Sequence, residues 1–368
     1  MARSVRKNAD ARFERGTGMM KRKKKKKLAL ALAIAGCLFL IYICTVMGAA
    51  SVSLGDINRI LLHEVFHIPV SLEGISEGSI TIIRDVRLPR VLLGFLTGAS
   101  LSVCGAGYQG IFKNPMADPF ILGISSGAAL GAAIGIVLHF SGSIAGLSGT
   151  TFLAFAGALL TVLLVYTISR RGKKVPVASL LLSGIAVNQS LSAFMSLIML
   201  FNQQSMDQIM FWTMGSLNGK GWNQVVTILP YVVVGIILLL TSARELDIML
   251  MGEETAIQLG VNVEFVKKTV LVVTSIVTAA VVSATGIIGF VGLLIPHVVR
   301  LFTGCLLYTS TGRFSCMEEE NEKTESKDIW NCSAGSWSVR PSMTGIRPAS
   351  CLLYTSSNVN GRERYEFL

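Results

Sequence analysis

The segment His63-Glu64-Val65-Phe66-His67 carries the residue types and spacing of a hydrolytic zinc centre. Two imidazoles four positions apart share one face of a helix and can hold a metal between them. Glu64 would then serve as general base to the metal-bound water. This chemistry would make the chain a membrane zinc metalloprotease. It requires one helix to run unbroken from His63 to His67, and it requires further ligands. The flanking residues suggest a simpler alternative. Ile60, Leu61, Leu62, Val65, Phe66 and Ile68 form a greasy segment ended by Pro69, with no clear third ligand after it, which fits an amphipathic loop helix. Gly219-Lys220-Gly221 is too short for a phosphate-binding loop and lacks the hydroxyl after the lysine, so it gives no ATP site. His297, after Pro296, has two readings: a pH switch, or a helix-end histidine hydrogen-bonded to backbone or water. Of the seven cysteines, Cys37, Cys44 and Cys104 lie in apolar runs and the other four lie beyond residue 304 without metal-ligand spacing, so no disulfide framework is implied.

The elements that must position these residues are membrane helices. In 368 residues, 51% are hydrophobic and only 15% charged, and the mean hydropathy is +0.59, outside the range of ordinary soluble domains. The net charge of +11 raises the question of nucleic acid. Much of it, however, comes from seven consecutive basic residues, Lys21 to Lys27, which abut an apolar run from Leu28 to Ala50. A basic cytoplasmic tail over residues 1–27 and a first span with its N-terminus inside explain this pattern without a nucleic-acid partner.

Val91 to Phe112 contains no charged residue over about the 20 residues of helix that a bilayer core demands. The turn Lys113-Asn-Pro-Met-Ala-Asp-Pro119 then reverses the chain into a second apolar arm. That arm sets Gly123, Gly127, Gly131 and Gly135 four residues apart, a stripe against which a neighbouring helix can pack closely. A fourth span is expected over Ile144 to Ile168, ending at the basic loop Arg170-Arg171-Gly172-Lys173-Lys174 on the inner side. The fifth, Val175 to Phe201, holds Ser183, Asn188, Gln189, Ser190, Ser192 and Ser196, which must face either a helix neighbour or a cavity. Asn202 to Asn223 reads as an outer loop and Gln224 to Ser242 as a sixth span. Ala243 to Lys268 reads as a long polar inner segment, and Thr269 to Gly304 as a seventh span and a short eighth divided by Gly286, Gly289 and Gly292. With the N-terminus inside, Arg59, Arg84, Arg87 and Arg90 fall outside, against the usual charge rule. Either lipid headgroups or a protein partner must account for them. Apart from Arg300 at the inner end of the last span, the spans hold no Asp, Glu, Lys or Arg to relay ions, which argues against a secondary transporter.

The motif order is specific: R-x-P-R at Arg87 to Arg90, a glutamine one turn before N-P-x-A-x-P, then L-G-x-x-x-G-A, W-x-M-G-S from Trp212, M-G-E-E-T-A-I-Q-L-G from Met251 and I-P-H-x-x-R ending at Arg300. In this order and spacing, the chain resembles the FecCD family of ABC-transporter permeases over about residues 51–304. The resemblance implies an all-α polytopic membrane protein with the type II importer fold, eight of ten expected spans being present. It implies no enzyme activity, no cofactor and a place in the cell membrane. It also implies a homodimer with the pathway along its axis, an extracytoplasmic solute-binding protein outside and two ABC ATPase subunits inside. The cargo class would be iron-siderophore, haem or cobalamin-like chelates.

Residue by residue, the resemblance gives Arg87 and Arg90 the docking of acidic groups on the binding protein. Asn114 and Met116, with Val177 and Ala178, become the inner gate, and the fifth helix lines the pore. Met251, Gly252, Glu253, Ala256, Leu259 and Gly260 become the segment that docks on the ATPase, two short helices joined near Gly252. His297 and Arg300 become structural. The expected domain division is thus a tail over 1–27, a permease domain over 28–304, and a non-homologous tail over 305–368. In that last segment the two missing spans are replaced by polar sequence holding Cys-Leu-Leu-Tyr-Thr-Ser twice, at 305–310 and 351–356. An identical hexapeptide repeated in this way fits no repeat architecture and reads as a chimeric translation of an adapter sequence.

Overall fold

The computed structural model describes residues 28–303, apart from 29–30, 49, 65–66, 141, 145–146, 171 and 173–174. The expected tails over 1–27 and 305–368, and Arg171, Lys173 and Lys174 of the basic loop, lie outside the described residues. The elements are α1 (Ala31–Val46), α2 (Leu54–Glu64), α3 (Glu77–Thr81), α4 (Leu88–Phe112), α5 (Ile124–Val137), α6 (Gly149–Ser169), α7 (Val177–Phe201), α8 (Met206–Met214), α9 (Trp222–Thr241), α10 (Ala243–Leu250), α11 (Glu253–Gln258), α12 (Val263–Thr285) and α13 (Val291–Thr303). A six-residue π-helical turn, Ile82–Arg87, joins α3 to α4, so the chain is helical without a break from Glu77 to Phe112. Among the described residues five helices are long and apolar enough to cross a membrane, and α1, α5 and α13 are shorter apolar helices. The chain is an all-α polytopic membrane protein. The expected start of the fourth span moves from Ile144 to Gly149, because residues 143–144 and 147–148 pair as a two-residue antiparallel ladder instead.

Helix α12 is the axis of the bundle, with 72% of its apolar window buried against 11% for α7. Side-chain size explains part of this. Val277, Ala279, Ala280, Val281, Val282 and Ala284 are short, and α4, α6 and α9 all pack on them. The glycine stripe on α5 behaves as its spacing requires. A Cβ at Gly127 would press on Thr161 and on the Gly157 carbonyl, and one at Gly131 would meet the Leu153 carbonyl. Gly157 answers from α6 against the Gly127 carbonyl. The two backbones therefore touch, a gain in dispersion contact available only where both helices lack side chains.

The turn after α4 is built locally. Lys113 takes a left-handed φ of 50°. The Asn114 side chain accepts from the Met116 amide at 2.9 Å, and Asp118 accepts from the Phe120 amide at 2.8 Å, capping a short 3-10 turn over Pro119–Leu122. Burial pushes the Asp118 carboxyl above the usual carboxylate range, opposed by that same hydrogen bond. Residues 202–223, expected as a loop, contain α8. Its end is fixed because Gly215 (φ 68°) abuts the Ile287 backbone, Gly286 (φ 76°) abuts those of Trp212 and Gly215, and the Ser216 amide donates to the Thr285 carbonyl at 2.8 Å.

Candidate functional site

The zinc constellation does not form. Helix α2 ends at Glu64 and His67 lies beyond it in a left-handed conformation, φ 54°, so the two histidines are not on one helical face. Glu64 is engaged in charge pairing, 3.5 Å from His63 Nδ1 and 3.8 Å from Arg84 Nη1. Among the described residues no group of three or more His, Cys, Asp or Glu is placed to hold a metal ion. What α2 supplies is a small apolar core, Ile57 and Ile60 against Ile83, seating residues 54–64 on the start of the long helix.

Arg87 departs from its expected geometry. Sequence spacing projects both Arg87 and Arg90 toward a partner, yet Arg87 is buried, 7% exposed. Its guanidinium donates to the carbonyls of Thr45 (3.3 Å), Val46 (2.9 Å) and Ala50. These include carbonyls at the end of α1, which have no helical partners and attract a cation. Gly48 makes room for the guanidinium, since a Cβ there would collide with it. The π-helical turn contributes by setting Arg87 toward α1 while Arg84 stays exposed beside Asp85, at 3.1 Å. Trp222 Nε1 donates to the Arg84 carbonyl at 3.0 Å, tying α9 to the same turn. Arg90 is only half buried, and its Nε has no hydrogen-bond partner. For Arg87→Ala we expect hydrogen exchange over residues 43–52 to accelerate at least tenfold, because each hydrogen bond from a charged group contributes about 1.5–3 kcal/mol. Unchanged exchange there would show that the guanidinium does not hold the end of α1.

At the other end of α4, several predicted residues gather. Asn114 and Met116 are exposed on the turn, Met116 by 62%. Val177 and Ala178 open α7 directly after Pro176, a residue suited to a helix start. Phe112, Val175, Val177, Leu180, Lys267 and Leu271 line one crevice, so the turn end of α4 and the starts of α7 and α12 meet there. Among the described residues, the hydrogen bonds of the polar side chains of α7 stay within that helix. Ser190 and Ser196 donate back to the carbonyls of Ala186 and Ser192 on their own helix, and Gln189, Ser190 and Ser196 are exposed. Gly184 lets α7 approach the Ile121 carbonyl, so the helix packs through that side and leaves Gln189, Ser190 and Ser196 exposed together with Leu182, Ile185 and Phe194.

The segment after α9 folds as two short helices. Gly252 separates α10 from α11 with φ 128° and Gly260 ends α11 with φ 83°, both conformations that side chains rarely adopt. Leu246, Met249 and Ala256 are buried against Ile111 and Val266, while Met251, Ile257 and Leu259 are each more than half exposed. Glu253 opens α11 and accepts from Lys267 Nζ at 2.8 Å.

Sequence reasoning did not find what holds α13. Gln109, wholly buried, donates to the carbonyls of Leu293 (3.2 Å) and Ala117 (3.4 Å) and accepts from Arg300 Nη1 at 2.6 Å. The signal was a polar glutamine in an otherwise apolar span together with the basic residue of I-P-H-x-x-R, two groups that must find partners away from lipid. Gly105 completes the contact, since a Cβ there would enter the Gly292 carbonyl.

Residues 36–311 match the FecCD transport family. The chain belongs to that family. Among FecCD relatives, the cobalamin import system permease protein BtuC of Halobacterium salinarum is 47% identical over 231 residues, covering 63% of this chain and 62% of its own length. The hemin transport system permease protein HmuU of Yersinia pestis is 39% identical over 222 residues, covering 60% of this chain and 66% of its own. The chain thus spans about two thirds or less of each. A solved metal-chelate type ABC transporter in an inward-facing conformation superposes with a TM-score of 0.63 at 27% identity, over 75% of this chain and 83% of that one. The architecture is therefore that of a FecCD permease.

Proposed function

We propose that the chain is the permease subunit of a binding-protein-dependent ABC importer for iron-siderophore, haem or cobalamin-like chelates in the cell membrane. It works as a homodimer, with its N-terminus in the cytoplasm, and is not itself an enzyme. ABC ATPase subunits supply the energy from inside and a solute-binding protein delivers cargo from outside. The observation that carries this reading is the α10–α11 pair. Its inward side is satisfied by Leu246, Met249 and Ala256, and its other side leaves Met251, Ile257 and Leu259 exposed next to polar residues, as a docking element does. Names of relatives support the cargo class, since the relatives described above import cobalamin and haemin. The exposed polar residues of α7 then line the pathway, and Asn114, Met116, Val177 and Ala178 close its inner end.

At the outer end, Arg90 carries the docking of an acidic group, and Arg87 holds α1 in place. A guanidinium suits this because its planar fork grips a carboxylate bidentately. The coupling role is tested at Gly252. Gly252→Val forces a branched side chain into φ 128° and twists α11 away from α10, so the ATP-hydrolysing subunit encoded with this permease should copurify at least tenfold less. Undiminished copurification would refute docking through this segment.

A further inference from the structure

Lys267 lies near the start of α12 and is only 8% exposed, whereas its neighbour Lys268 is exposed. Its ammonium reaches across to Glu253, the first residue of α11, at 2.8 Å. It also lines the crevice shared by Phe112, at the end of α4, and Val177, at the start of α7. One side chain thus touches the docking helices and borders Val177 of the expected gate and Phe112, the last residue of α4 before the turn that carries Asn114 and Met116. The contact joins two helices through one nearly buried side chain, so a displacement of α11 must either carry Lys267 with it or break the contact with Glu253. Helix α12 is the most buried of the long helices and transmits such a displacement as a body.

We propose that Lys267 is the positioning residue that links movement of α10–α11 to the expected gate, through Val177 at the start of α7 and through Phe112, which leads into the turn with Asn114 and Met116. The proposal rests on the coupling role assigned to α10–α11 above. The pair is not a surface salt bridge of the kind that contributes little, because one partner is buried and the two belong to different helices.

The experiment uses the permease together with its ATP-hydrolysing subunit in nanodiscs, with Met116→Cys as reporter in a background whose native cysteines are serine. Labelling by a membrane-impermeant maleimide is followed with and without ATP and vanadate. The expected result is that Lys267→Met, which keeps the stem and removes the charge, retains the ATP-hydrolysing subunit within twofold but cuts the nucleotide-dependent change in labelling at least fivefold. Lys267→Arg and the exchange Glu253→Lys with Lys267→Glu should each restore at least half of that change, which a merely structural lysine would not allow. In parallel, amide exchange over residues 253–260 of the purified chain should accelerate at least tenfold in Lys267→Met. A labelling response in Lys267→Met equal to the parent, or a charge exchange no better than the single variants, overturns the proposal. If the parent chain itself fails to retain the ATP-hydrolysing subunit, the coupling reading falls and the proposal falls with it. That outcome is distinguishable because it precedes any substitution at Lys267.

Discussion

Gln109→Leu should detach α13 from the bundle. The substitution keeps the volume of the side chain and deletes every polar contact it makes: two donations to the Ala117 and Leu293 carbonyls and the acceptance from Arg300 at 2.6 Å. Removing one member of a buried charged contact costs about 3–5 kcal/mol, and the Ala117 and Leu293 carbonyls lose their donor with it. The carbonyl of Leu293 is on α13 and that of Ala117 on the turn, so the loss falls on the junction of three segments at once. The measurement is the midpoint of SDS-induced unfolding in mixed micelles, with limited proteolysis across residues 286–290 reporting the connection to α13. A lowered midpoint and new cleavage there are expected. Gln109→Glu, which keeps an acceptor for Arg300 but loses the amide donor, should fall between the parent and Leu. A midpoint for Gln109→Leu equal to that of the parent would show that the hydrogen bonds are not what fixes α13.

Gly131→Ala should be almost as damaging, for a steric reason. An added carbon at that position enters the Leu153 carbonyl and lies 3.2 Å from the Ala154 Cα, and neither is the movable end of a flexible side chain. The helices can only separate, and the separation breaks the contacts at Gly127 and Gly157 as well. Overpacking of this kind costs about 1–3 kcal/mol and more where only backbone can yield. Gly98 on α4 provides the comparison, since an added Cβ there meets nothing within 4 Å. The temperature at which half of the protein loses its monodisperse elution should drop for Gly131→Ala and stay within about a degree for Gly98→Ala on the usual scale of surface substitutions. Equal temperatures for the two would remove the close α5–α6 approach as a source of stability.

Both effects bear on which features of the chain were readable in advance. The glycine spacing of α5 announced a close helix contact, because four-residue periodicity maps directly onto one helix face. It did not say which helix would answer, and α6 could do so only because Gly157 falls opposite Gly127. The two short helices after α9 were expected from the family resemblance, and the φ of 128° at position 252 and 83° at position 260 give the physical reason for glycine there. The zinc motif, already the weaker of its two readings, forms no site because residue identity at fixed spacing does not establish a helix, and α2 stops at Glu64 before the second histidine. Arg87 misled. Its position in the motif was read correctly, but the direction of its side chain depends on carbonyl groups 37 to 42 residues earlier in the chain.

The sequence by itself determined that this is a membrane protein of the FecCD family, where its apolar helices run, and where glycine and proline interrupt them. These properties follow from hydropathy, backbone sterics and motif order, all of which act over a few residues to a few turns. Tertiary structure alone decided that α12 is the axis, that Arg87 closes the end of α1, that Gln109 meets Arg300 across 191 positions, and that Lys267 reaches Glu253. The physical reason is common to these contacts. A polar group withdrawn from water must find a partner, and which partner it finds depends on which helices have packed together.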